Sequence, residues 1–145
     1  LGDTDTRTAR TAYFLARTLD DQGRTAEAAA AMNVALAIAR QSYGPDDPTT
    51  ASWLVDRAAM LHDAGDPVAE SAYLEAIALA ERVLPADDPA LASARQGLGN
   101  WLLAADRAAE AVPLYRDALA TREAIYGPDD AATMRSAERL GRALW

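Results

Sequence analysis

The nine residues Tyr43–Ala51, YGPDDPTTA, have near-copies at Leu1–Ala9 (LGDTDTRTA), Leu84–Ala92 (LPADDPALA) and Tyr126–Met134 (YGPDDAATM). The copies begin at residues 1, 43, 84 and 126, so they are spaced by 42, 41 and 42 residues. Such regularity marks a stacked array of one supersecondary unit, each copy burying its apolar face on its neighbours. Within each unit the punctuation divides the chain in two. A first helix, A, is predicted after the turn, as in Thr6 to Asp21; a break such as DQGRT (21–25) or AGDP (64–67) follows; a second helix, B, is predicted as in Ala26 to Ser42.

The turn residues have identifiable work. Gly44 and Gly127 supply the positive φ that ends helix B, and Pro45 and Pro128 prevent the helix from resuming. Asp47 and Asp88 are placed to cap the next helix A, with Pro48 and Pro89 at the first helical position, where a missing N–H costs nothing. Asp5 and Asp130 are expected to cap without the proline. The pairs Asp46–Asp47, Asp87–Asp88 and Asp129–Asp130 would suit acid–base chemistry or a metal if each stood alone. Recurring at one place in a repeat, they read as caps. Asp3–Asp5, DTD, lacks the glycine and distal glutamate of a calcium loop.

Small residues recur at fixed places in the unit. Ala16, Ala58, Gly99 and Gly141 share one site on helix A; Ala28, Ala69 and Ala111 share a second on helix B, and Ala35, Ala76 and Ala118 a third. Between the last two stands a larger residue, Met32, Tyr73 or Tyr115, on the same helical face. With this small-large-small pattern, LGNWL (98–102) and AAEAVPLYRDALATREAIYGPDD (108–130) resemble tetratricopeptide repeats. The resemblance is to the longer unit of kinesin light chains and many bacterial regulators, and it covers essentially the whole chain. It implies an all-α fold, a right-handed α-α superhelix. The expected domain is one, over 1–145, with repeats at about 1–42, 43–83 and 84–125 and an extra helix over 130–145. Repeat two departs from the others in its shorter turn and in Arg57, which stands where Leu15, Leu98 and Leu140 stand elsewhere, so looser packing is expected there. Pro113 falls inside the third helix B, where propensity predicts a kink; the family tolerates it, and the helix is kept.

Composition narrows the kind of work. Half of the 145 residues are hydrophobic but only 6% are aromatic, which favours closely packed helices over sheets. A net charge of −8 argues against nucleic acid and anionic membrane as partners. The longest uncharged helical stretch, Ala28 to Ala39, is about half a membrane span. With no cysteine, no lysine, one histidine and no phosphate-binding glycine loop, little remains for an enzyme's site, and no cofactor or metal is expected. All 14 basic residues are arginine, which reads as bacterial codon bias. A cytoplasmic protein is expected, and both ends read as cuts in a longer array.

The resemblance implies a concave groove lined chiefly by the helices A. One face of each helix A then carries Arg10, Tyr13, Arg17 and Asp20; Ser52, Val55, Ala59 and His62; Ser93, Gln96, Asn100 and Leu103; and Arg135, Glu138, Arg142 and Trp145. The expected partner is a protein or peptide, acidic or ending in a carboxylate, with arginines on its carboxylates and Tyr13, Val55 and Leu103 taking its apolar side chains. Asn100 resembles the groove asparagines that hold a peptide backbone in this family. Against this, the arginines could pair within the array, with Asp20, Asp21 or Glu138, and His62 could be a surface histidine without a task. Trp53 and Trp101 read as packing residues, while Trp145 ends a helix with no helix B after it and leaves self-association open. The alternative function is structural or regulatory: a segment of a longer array that restrains a neighbouring domain such as a nucleotide-switched ATPase.

Overall fold

The computed structural model describes residues 3–145, and every regular element among them is a helix. In chain order these are α1 (Asp3–Asp21), α2 (Thr25–Ser42), α3 (Pro48–Asp63), α4 (Ala69–Val83), α5 (Pro89–Ala104), α6 (Ala108–Tyr126) and α7 (Ala131–Leu144). The breaks within pairs are only a few residues long, so α1/α2, α3/α4 and α5/α6 fold back as antiparallel hairpins that pack along their length. The helices fall into two compact units, one ending at Val83 and one over Leu84–Trp145. In the first, α2 packs also on α3; in the second, α6 packs also on α7.

The turns hold the helices as their sequence requires. Asp47, Asp88 and Asp130 each accept the N–H two residues on, from Thr49, Ala90 and Ala132, at 2.7, 2.8 and 2.7 Å. Gly127 closes α6 at a φ of 85°, and Gly44 takes 105°, values that only glycine adopts without strain. The first turn differs from expectation. The helix α1 starts at Asp3, so Asp5 lies inside the first helical turn and cannot be its N-cap; an acid there still favours the positive end of the helix. The opening Leu1 and Gly2 of the first copy lie outside the described residues. Pro113 is carried inside α6 about a turn and a half from its start, and the helix continues although the bond that an N–H there would make to the carbonyl four residues back is missing.

A second device, at the start of the helices B, was not anticipated. Arg24 chelates Glu27 through Nε and Nη2 at 2.8 and 2.6 Å, and Arg107 does the same to Glu110 at 2.8 and 2.8 Å. The hydrogen bonds from these arginines hold both carboxyls below the usual glutamate range. Repeat two has the shorter turn and uses Asp66 instead, whose carboxylate accepts the Val68 N–H at 2.9 Å.

The core confirms the pattern of small residues. Ala16, Ala58, Ala28, Ala69, Ala111, Ala35, Ala76 and Ala118 are all fully buried, as are Met32 and Tyr115, with Tyr73 nearly so. Why small residues are needed is clearest at Gly99: a Cβ there would stand 2.9 Å from Cε1 of the Tyr115 ring. Gly141 occupies the same place on α7, and a Cβ there would meet nothing within 4 Å among the described residues. Arg57 in repeat two is satisfied rather than merely tolerated, donating to Asn33 Oδ1 at 2.5 Å and lying 4.0 Å from Glu75.

Candidate docking faces

In the first unit the helix-A face is aromatic. Tyr13 on α1 stacks on Trp53 of α3, with ring centroids 4.5 Å apart and 8° between planes, and Tyr43 meets Trp53 edge-on at 6.2 Å. Together with Arg10, Phe14 and Thr49 they line a cleft of about 360 Å³. The Tyr13 hydroxyl donates to Asp56 at 2.8 Å, and Arg17 donates to that hydroxyl at 3.0 Å while lying 3.8 Å from the same carboxylate. Burial pushes the Asp56 carboxyl up, against the hydrogen bond from Tyr13 and the charge of Arg17, which pull it down. Desolvation, then the hydrogen bond to Asp56, raise the Tyr13 phenol.

This changes the roles read from the sequence. Arg17 is occupied by Tyr13 and Asp56, whereas Arg10 is exposed at the rim of the aromatic cleft, with no ion pair among the described residues. Val55 is buried, only 6% exposed, and cannot receive a partner's side chain. A short branched side chain stays within the packing layer at a site where the longer Tyr13 reaches out of it. Its place on the surface is taken by Asp56. His62 is half-buried, its ring edge-on to Tyr73 at 5.9 Å and its Nδ1 3.2 Å from the Tyr73 hydroxyl.

In the second unit the corresponding face is polar. Asn100 Oδ1 accepts from the buried Tyr115 hydroxyl at 2.8 Å and from Arg139 at 3.0 Å, which leaves its NH₂ group free to donate. Gln96 Oε1 accepts from Arg122, a residue of α6, and lies 3.1 Å from the hydroxyl of the fully buried Ser136. Arg122 also donates to Ser136 at 2.6 Å. Leu103 is half-buried, and Arg135 and Trp145 are exposed. Arg142 is held by Glu138 at 2.7 Å, so the pairing considered for it within the array is the one found. Arg122 was not among the expected groove residues, because the groove was read on the helices A and Arg122 stands near the end of a helix B.

No group of three or more acidic or histidine side chains among the described residues is arranged to hold a metal ion. No described helix is long and apolar enough to cross a membrane.

Comparison with known proteins places this architecture. The tetratricopeptide repeat profile matches residues 7–68 and 49–124. Among solved structures, the chain is similar to a protein of Podosopora anserina described as a kinesin light chain with nearly identical TPR-like repeats. That likeness, to a variant of that protein with one substitution, has a TM-score of 0.83 at 19% identity and covers 99% of this chain and 68% of that one. It is similar also to BtubC (BKLC) of P. vanneervenii, with a TM-score of 0.82 at 23% identity, over 93% of this chain and 54% of that one. The chain thus spans little more than half the length of the latter. No curated protein matches the sequence. The repeat period, the buried small residues of the hairpins and the profile match over most of the chain agree, and the chain belongs to the tetratricopeptide repeat family.

Proposed function

We propose that the protein is a non-enzymatic docking module that binds a protein or peptide on the helix-A faces of its units, working in the cytoplasm by presenting preformed surfaces. Tetratricopeptide repeats generally mediate protein–protein interaction. The observation that carries the reading is the bonding of the polar side chains on these faces to one another. Tyr13, Arg17 and Asp56 form one connected set, Gln96, Arg122 and Ser136 a second, and Asn100, Tyr115 and Arg139 a third. Side chains fixed before binding lose less freedom on contact, which is how a rigid groove gains affinity. The free amide donors of Asn100 and Gln96 suit an extended peptide backbone, and the aromatic cleft beside Arg10 suits an apolar side chain next to a carboxylate.

The test is retention of an array of random and C-terminal peptides by the whole chain, beside a Tyr13→Ala variant. Selective retention that the variant loses for part of the set supports the reading; uniform, unselective retention by both contradicts it.

A second reading, a structural segment of a longer array that contacts another repeat, a second copy or an attached ATPase domain, is favoured by one feature. Met134 and Leu144 on α7 and Trp145 just after it are all exposed, Trp145 completely. Its measurement is the oligomeric state by sedimentation, with Trp145→Ser returning any self-associated species to monomer.

A further inference from the structure

In a chain of net charge −8, one cleft gathers cations that no acid neutralises. It opens among α5, α6 and α7, has a volume of about 410 Å³ and is lined by Arg122 and Arg135 with Ser93, Tyr126 and Asp130. Among the described residues, neither Arg122, Arg135 nor the nearby Arg139 is within ion-pair distance of a carboxylate. Arg122 is half-buried, yet its hydrogen-bond partners are neutral, Gln96 Oε1 and the Ser136 hydroxyl, and both are reached through Nη1. Its Nε and Nη2 make no hydrogen bond to any described residue. The one acid in the lining, Asp130, is turned to its own helix and accepts the Ala132 N–H at 2.7 Å.

This arrangement works against the fold. Burial, and then the charges of Arg135 and Arg139, lower the Arg122 pKa. A guanidinium desolvated beside two others is costly when alone, and the cost falls when an anion takes its remaining donors. The neutral amide and hydroxyl hold the guanidinium in one orientation without neutralising it, so the fork stays presented to the cleft. Paired arginines recognise planar or tetrahedral oxyanions through short charge-assisted hydrogen bonds.

We propose that the Arg122–Arg135 cleft is an oxyanion-binding site that anchors a carboxylate or phosphoryl group carried by a peptide partner. The proposal rests on the docking reading above for the peptide, but not for the site. It also relocates the acidic anchor, from Arg17 and Arg142, which have acids of their own, to residues that do not.

The experiment uses the whole chain with ¹⁵N-labelled arginine side chains, titrated at constant ionic strength with inorganic phosphate and, separately, with acetate. Saturable shifts of the Arg122 and Arg135 Nε–H signals are expected, against small linear shifts at the exposed Arg116. Saturation by phosphate alone assigns a phosphoryl ligand, and saturation by acetate assigns a carboxylate. Arg122→Gln should weaken binding by about tenfold or more. Because Arg122 also bonds to Gln96 and Ser136, Arg135→Gln provides the second variant: Arg135 is exposed, its loss leaves packing intact, and the same weakening is expected. Linear shifts at Arg122 and Arg135 with both anions, no larger than at Arg116, would overturn the site. Since no peptide enters the titration, failure of peptide binding with saturable anion binding would leave the site standing and remove only the docking reading.

Discussion

The two units build the same hairpin and finish its surface in opposite ways. In the first, the helix-A face is closed by rings: Tyr13 on Trp53, with Arg17 and Asp56 answering each other's charge at its edge. In the second, neutral amides do that work, and Asn100 and Gln96 hold Tyr115, Arg139 and Arg122 by hydrogen bonds while the arginine charges go unanswered. The contrast separates two tasks that repeat sequences mix together. Small residues between helices set the hairpin; the large and polar residues beside them set the chemistry of its surface.

The largest effect should come from the aromatic side of the contrast. Trp53→Ala removes a ring that is 7% exposed and stacked, and should cost about 3–5 kcal/mol in urea unfolding. A loss under about 1 kcal/mol would mean that rings do not hold the first unit's face together. On the amide side, Asn100→Ala leaves the buried Tyr115 hydroxyl without an acceptor and should cost about 1–3 kcal/mol by the same measurement. A neutral result would show that water replaces the amide and that this face is less preformed than its bonds suggest.

The shared scaffold can be tested by one pair of glycines. Gly99→Ala forces a methyl against the Tyr115 ring and should destabilise by about 1–3 kcal/mol. Gly141→Ala, with open space around it, should stabilise by up to about 1 kcal/mol through helix propensity. Shifts of one sign in differential scanning calorimetry would contradict the packing account.

The smallest effect is electrostatic and belongs to the first unit. Burial raises the Asp56 carboxyl, and burial together with Asp63 and Asp21 raises Asp20, so the folded state binds these protons more readily than the unfolded chain. Stability from these groups therefore grows as pH falls through their raised folded pKa values and levels off below the unfolded value of about 4. Glu27 and Glu110, lowered by their arginines, oppose this from exposed positions. Asp56→Asn, which keeps an acceptor for Tyr13, should flatten the gain seen in urea titrations as the pH is lowered toward about 4; an unchanged slope would remove Asp56 as its source.

The hairpins were legible in the sequence because their determinants are local or periodic. A capping aspartate acts within two residues, and Ala28, Ala35 and Met32 declare a buried face by helical spacing alone. The surface chemistry was less legible because it depends on side-chain reach. Helical arithmetic put Val55 on the face of Tyr13, but a valine there is too short to leave the packing layer, and Asp56 stands in its place. Arg142 has Glu138 four residues before it, a spacing that foretells the pair found. Arg122 has no acid three or four residues away in either direction, and that absence was the one available sign that its charge would remain unanswered.

The most direct test of the account compares arginines that have acids of their own with arginines that do not. With an acidic peptide retained from the array as ligand, calorimetric titration should show Arg17→Gln/Arg142→Gln within about threefold of the parent affinity. Arg122→Gln/Arg135→Gln should be weaker by more than about tenfold, with the charge-assisted contacts of both arginines lost. The reverse order, with binding lost in the first variant and kept in the second, would contradict the claim that the charges left unanswered by the fold are the ones that meet the partner.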